Sequence, residues 1–157
     1  AITVSDESAM QTAGWREWVT LPDLPIGPVK AKLDTGARSS ALNAWNMEAL
    51  EVDGVACVRF DVYRTHKDTT DIVRCTAPIV DQRAVKSSTG NRTHRFVIET
   101  TLHMGAHRWS IEITLIDRRD MLFRMLVGRT ALSHRLLVDP SSSYRVGAKP
   151  TRQGIRK

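Results

Sequence analysis

Apolar residues fall on every second position through much of this chain. In Val29-Lys30-Ala31-Lys32-Leu33 they alternate with lysines. In residues 107–116, Trp109, Ile111, Ile113 and Leu115 share one face while Glu112 and Thr114 take the other. A period of two marks a strand with one buried face. Comparable runs predict strands at residues 14–21, 40–45, 47–52, 55–63 and 71–79, and another through the alternating Phe96, Ile98 and Thr100. Asp53-Gly54, between two of these runs, is the residue pair of a tight hairpin turn. The turn-rich residues 22–28 make a connection, and the polar residues 66–70 a loop. Residues 121–127 form a nearly continuous apolar run that stops at Gly128, and residues 129–137 have the spacing of a short helix closed by Asp139-Pro140. Many short strands with one late helix predict an all-β fold, a closed β-barrel with a short C-terminal helix.

A chain of 157 residues is the size of one domain and long enough for a real core. No apolar run approaches the ~20 residues a membrane-crossing helix needs, and residues 1–13 lack the basic and apolar regions of a signal peptide. Two cysteines, Cys57 and Cys75, are too few for a disulfide framework. They read as reduced, partly buried thiols, which predicts a cytoplasmic protein. The net charge of +6 is unevenly spread. Residues 145–157 hold five cations and no acid, so the preceding 144 residues carry 18 cations against 17 acids. The expected organisation is a flexible segment at residues 1–13, one domain at 14–144 and a basic flexible tail at 145–157. The four tryptophans are read as core residues.

The chemistry centres on Leu33-Asp34-Thr35-Gly36-Ala37, delivered by the strand that begins at Val29. Asp-Thr-Gly after a strand is the active-site loop signature of aspartic proteases, and it occurs here once. That chemistry needs two carboxylates about 3 Å apart, which cannot both ionise and so divide the work of base and acid. One chain would then supply half an enzyme. No His-Glu-x-x-His, Cys-x-x-Cys or phosphate-binding Gly-x-x-x-x-Gly-Lys-Ser/Thr is present. His103 and His107 are four apart, a metal-ligand spacing on a helix, but Gly105-Ala106 between them marks a hairpin turn. No metal and no cofactor are expected.

Three features in order make the chain resemble a retropepsin, the half-sized, dimeric class of aspartic protease. They are the Asp-Thr-Gly loop, a polar glycine-bearing segment at residues 86–92, and Met125-Leu126-Val127-Gly128-Arg129 before the predicted helix. More narrowly, it resembles a bacterial retropepsin-like family labelled ATP-dependent zinc proteases, through LDTGARSSAL (residues 33–42), SSTG (87–90), DRRDMLFRMLVGRTAL (117–132) and VDPSSSY (138–144). Some members are associated with a ribosomal-protein glutamate ligase and trim the glutamate tails it adds. The resemblance implies a homodimeric aspartic endopeptidase acting on acidic, glutamate-rich tails such as those of a ribosomal protein.

It also implies roles. Asp34 of each subunit would hold the attacking water. Thr35 would bond across the dimer axis, and Gly36 would offer positive φ and close approach to substrate. Gly128 would pack beneath the loop where a side chain does not fit, with Arg129 supporting it. Ala37, Arg38, Lys86, Ser88, Gly90 and Arg92 would line the substrate site, the last four from a flap. Arg38 departs from viral retropepsins, which commonly carry an acid there to pair with the arginine of the Gly-Arg element. Arg129 therefore needs another partner, and the outer subsite gains a cation suited to carboxylates.

A different class remains open on the residues alone: a basic β-barrel that binds RNA or the ribosome without catalysis, through the tail. The body offers it little, because it lacks a basic stripe interleaved with aromatics.

Overall fold

The structure, a computed structural model, describes residues 10–64, 70–86, 90, 92–118 and 122–147, with the backbone alone at 84–86 and 92–94. Eleven strands appear among them: β1 (Thr12–Gly14), β2 (Arg16–Val19), β3 (Val29–Asp34), β4 (Ser40–Asn43), β5 (Trp45–Val52), β6 (Val55–Tyr63), β7 (Ile72–Lys86), β8 (Arg92–Met104), β9 (His107–Ile116), β10 (Met125–Gly128) and β11 (Leu137–Asp139). One short helix, α1 (Arg129–Leu132), follows β10. Nine strands form one sheet in the order β2-β3-β10-β4-β9-β8-β7-β6-β5, and β1 pairs with β11 in parallel. Period-2 alternation holds where the site is built. Val29, Ala31 and Leu33 of β3 and Met125 and Val127 of β10 enter the core, joined by Ile111, Ile113 and Leu115 of β9. The hairpin at Asp53-Gly54 forms as expected, with Asp53 at φ 52° and Gly54 at φ 80° between the paired Val52 and Val55.

The sheet is not the closed barrel expected from the strand count. β7 pairs through residues 72–78 with β6 and through 79–86 with β8, so the second half of β8 has only β9 as a strand neighbour. The far edge of β8 meets the end of β2 through a single antiparallel bridge, Thr20 to His103, with N–H···O distances of 2.9 Å each way. The partner switch in β7 falls at Pro78, which has no N–H to continue a ladder, and at the register shift between Ile79 and Asp81.

Other boundaries move for local reasons. The predicted helix over 129–137 ends at Leu132, because His134 takes φ 64° and Leu137 turns into β11. The predicted strand at 14–21 breaks at Trp15, whose N–H donates to the Ser142 carbonyl (2.8 Å) instead of continuing a ladder. Of the apolar run at 121–127, only Met125–Gly128 is strand; Met121 lies outside the described residues, and Leu122 is 89% exposed. Trp109 is the one tryptophan buried in the core, where its Nε1 donates to the Ala131 carbonyl (3.0 Å). Trp15, Trp18 and Trp45 are half-buried. Both cysteines are buried and free, as expected, and burial pushes the Cys75 thiol up to about 11. No described helix is long and apolar enough to cross a membrane.

Glu17 on β2 is fully buried. Its Oε2 accepts the N–H of Gly14 (2.5 Å) and of Arg145 (2.9 Å), and its Oε1 accepts those of Val146 (3.0 Å) and Gly147 (2.7 Å). The carboxylate thus ties residues 145–147 along β2, where Trp18 N–H also meets the Gly147 carbonyl (2.8 Å). Charged hydrogen bonds contribute about 1.5–3 kcal/mol each, and stranded buried donors cost comparably. Glu17→Ala should therefore destabilise the chain by ~3 kcal/mol or more in urea unfolding. Glu17→Gln, which turns an amide against two of the four donors, should fall between it and the wild type.

Candidate active site

Asp34 is the last residue of β3 and is half-buried. β10 runs parallel to β3 and sets Gly128 in register with Asp34. The chain leaving Asp34 then folds back on the segment leaving β10. Ala37 N–H donates to the Asp34 carbonyl (3.1 Å), and the Ala37 carbonyl accepts Arg129 N–H (2.7 Å). The Arg38 carbonyl accepts both the N–H (3.1 Å) and the hydroxyl (2.9 Å) of Thr130. Gly128 N–H donates to the buried Ser40 hydroxyl (3.0 Å). Loop and helix start are therefore one hydrogen-bonded unit, and the carbonyls of residues 37–38 are satisfied from across it.

Within the loop, one Asp34 oxygen accepts the Gly36 N–H (3.0 Å), and no described hydrogen bond occupies the other. Gly36 does not adopt the positive φ expected of it; Gly54, Gly90 and Gly105 are the glycines with that conformation. Its smallness matters for another reason, since an added Cβ would lie 3.3 Å from the Asp34 Oδ1. Gly128 is tighter. A Cβ there would stand 2.5 Å from the Ser39 backbone carbon and oxygen and 3.0 Å from the Ala37 carbonyl oxygen. Arg129 finds its partner in the loop backbone: Nη1 donates to the Thr35 carbonyl (3.2 Å), in place of a carboxylate.

Thr35 and Arg38 are exposed, and Ala37 is partly so. Lys86 and Arg92 form the last register pair of the β7–β8 hairpin, and Gly90 sits between them at φ 91° with open space where a Cβ would point. The expected substrate contact Ser88 lies outside the described residues, as do the side chains of Lys86 and Arg92. No described hydrogen bond or ion pair joins this hairpin to the Asp34 loop. His103 and His107 flank the Gly105-Ala106 turn on neighbouring strands, and His107 Nε2 is bonded to Gln11 Oε1 (2.7 Å). Among the described residues no three His, Cys, Asp or Glu side chains cluster so as to hold a metal ion.

Residues 12–149 match the family model described as RimB-like, the retropepsin-like aspartic endopeptidase RimB. The chain belongs to this family. The RimB-like chain is 40% identical over 144 residues to a protein of Desulfotalea psychrophila described as "probable alpha-L-glutamate ligase", a match covering 92% of this chain and 31% of that one. A Shewanella pealeana protein with the same description is 38% identical over 136 residues, or 87% of this chain and 30% of its own. The RimB-like chain thus spans about a third of the curated relatives it matches. A solved structure of a Legionella pneumophila protein of unknown function superposes with a TM-score of 0.72 at 28% identity, covering 87% of this chain and 98% of that one.

Sequence reasoning passed over three residues that fix this site. Ser40 looks like an ordinary serine opening a predicted strand, and only its burial and bond to Gly128 reveal its use. Two further bonds hold the helix start, from the Thr130 hydroxyl to the Arg38 carbonyl and from Trp109 to the Ala131 carbonyl. The last could have been suspected, because a tryptophan on a buried strand face needs a partner for its N–H.

Gly128→Ala should destabilise the fold by about 1–3 kcal/mol in chemical denaturation, since the clash is with backbone rather than a flexible side-chain end. Gly36→Ala, facing only a side-chain oxygen at 3.3 Å, should cost clearly less.

Proposed function

We propose that this RimB-like chain is a homodimeric aspartic endopeptidase that hydrolyses acidic, glutamate-rich polypeptide tails. The observation that carries the reading is the Asp34-Thr35-Gly36 loop, with one carboxylate oxygen held by Gly36 and the loop backbone fastened to Gly128, Arg129 and Thr130. Rigid loops are what a carboxylate pair requires, because its chemistry depends on holding two like charges in fixed register.

Two Asp34 side chains, one per subunit across a two-fold axis, would share one proton. The ionised member takes a proton from the water as it attacks the peptide carbonyl, and the protonated member donates to the carbonyl oxygen. Breakdown of the tetrahedral intermediate passes a proton to the leaving amine and restores the shared state. No covalent intermediate forms.

The substrate class follows from two supports. Relatives containing this domain are described as α-L-glutamate ligases. A peptidase module on such a chain would act on the glutamate peptide that the ligase makes, so the partner of the RimB-like chain would be that ligase's product, a tailed protein such as a ribosomal protein. Arg38, exposed beside the loop, offers a bidentate carboxylate contact. Lys86 and Arg92 would add cations from the hairpin.

Asp34→Asn keeps the shape of the side chain and removes the base. It should lower cleavage of a glutamate-tailed protein by ~100-fold or more, read by mass spectrometry, while its melting temperature stays within a few degrees of wild type. Full activity in the folded variant would end the reading. Specific activity should also fall on dilution in step with dimer dissociation followed by sedimentation. A monomer cleaving at full rate would rule out the shared site.

A further inference from the structure

On β3 the alternation that buries Val29, Ala31 and Leu33 puts Lys30, Lys32 and Asp34 on the other face. Asp34 is two residues beyond Lys32, about 7 Å along the strand at ~3.3 Å per residue. On the neighbouring β10, Leu126 is in register with Lys32 as Gly128 is with Asp34. Lys32 and Leu126 border a cavity of about 270 Å³ whose other lining residues are Trp15, Ile116, Arg118, Leu122 and Phe123. Trp15 and Phe123 meet edge to face, ring centroids 5.7 Å apart, which fixes two of these walls.

The two lysines of this face differ. The Lys30 ammonium lies 5.9 Å from the centre of the Trp18 ring. Lys32 is half-buried, lines the cavity, and has no carboxylate partner among the described residues. A cavity with mostly apolar walls, a half-buried ammonium and the exposed Arg118 in its lining suits a side chain with an apolar stem and an anionic tip. Glutamate has that form. A lysine or arginine would be repelled, and a leucine would cover the ammonium without pairing it, which is unfavourable.

We propose that this cavity receives the substrate side chain next to the scissile bond, and that Lys32 selects glutamate there. The inference rests on Asp34 being the catalytic carboxylate. It adds a specificity residue one side-chain row from the chemistry, distinct from the exposed Arg38.

The test is kcat/KM of the full chain on a homoglutamate peptide and on matched peptides carrying leucine, alanine or lysine at either residue flanking the cleaved bond, located by mass spectrometry. Lys32→Leu should lower the glutamate-over-leucine ratio by about 10-fold or more, and Lys32→Arg should retain most of it. Lys32→Glu should shift preference toward the lysine peptide. Leu126→Phe, which fills the cavity without touching the charge, should favour alanine over glutamate and serves where a Lys32 variant does not fold. Unchanged ratios in folded Lys32 and Leu126 variants would overturn the inference while leaving Asp34 in place, provided Asp34→Asn is inactive. Cleavage by Asp34→Asn would remove both.

Discussion

The parallel register of β3 and β10 governs this molecule. It sets Gly128 opposite Asp34, at a point where the backbone of Ala37 and Ser39 approaches too closely for any Cβ. The approach lets the Arg129 and Thr130 amides reach the carbonyls of Ala37 and Arg38, so main-chain bonds hold the turn after Asp34 together with the Asp34 side chain's own bond to Gly36. A side chain at position 128 would separate the two segments and leave those carbonyls to water. The loop's geometry is therefore a property of two strands that lie over ninety residues apart in sequence, which suits a carboxylate that must not drift.

The same economy appears at the neighbouring edge of the sheet. β2 would be an open edge, with backbone groups free to pair with another chain. Residues 144–147 cover it: the Tyr144 amide bonds to the Arg16 carbonyl, and those of residues 145–147 converge on the Glu17 carboxylate. A buried charge is tolerable there because four donors replace its water shell. β2 in turn lies beside β3, and Leu33 N–H bonds to the Trp15 carbonyl (2.8 Å) at the break between β1 and β2. The strand that carries Asp34 is thus held by β10 on one side and by the Glu17-tied edge on the other.

Much of this was legible in the sequence where the physics is local. Alternation marked β3 and β9, and Asp53-Gly54 marked a turn whose left-handed φ values those residues tolerate. The Asp-Thr-Gly loop and Gly128 were found as motifs, and the close approach at Gly128 now has a cause. What failed depended on distant neighbours. Nothing in residues 129–137 says that Leu137 will leave a helix to pair with β1, because the pairing is made with Thr12. Barrel closure was lost to the double partnership of β7, a consequence of Pro78 and a register shift that residue patterning does not weigh. Glu17 was invisible because a lone acid in an alternating strand looks solvated until the segment that covers it is known.

Symmetry connects the remaining observations. In the proposed dimer, a two-fold axis between two Asp34 loops would duplicate every feature of β3 on both sides of the bound bond, including the Lys32 cavity. A single-chain enzyme with two dissimilar halves can read different side chains before and after the scissile bond. A symmetric one offers the same pocket twice and favours a substrate whose flanking residues are alike. A homopolymer of glutamate meets that condition at every bond. Each Lys32 of that dimer would also bring a cation to a region holding two acidic side chains and receiving several more from substrate, which would offset the repulsion among them. In the proposed dimer, the single copy of Asp-Thr-Gly and the lysine alternation of β3 would favour the same substrate, one through symmetry and the other through charge.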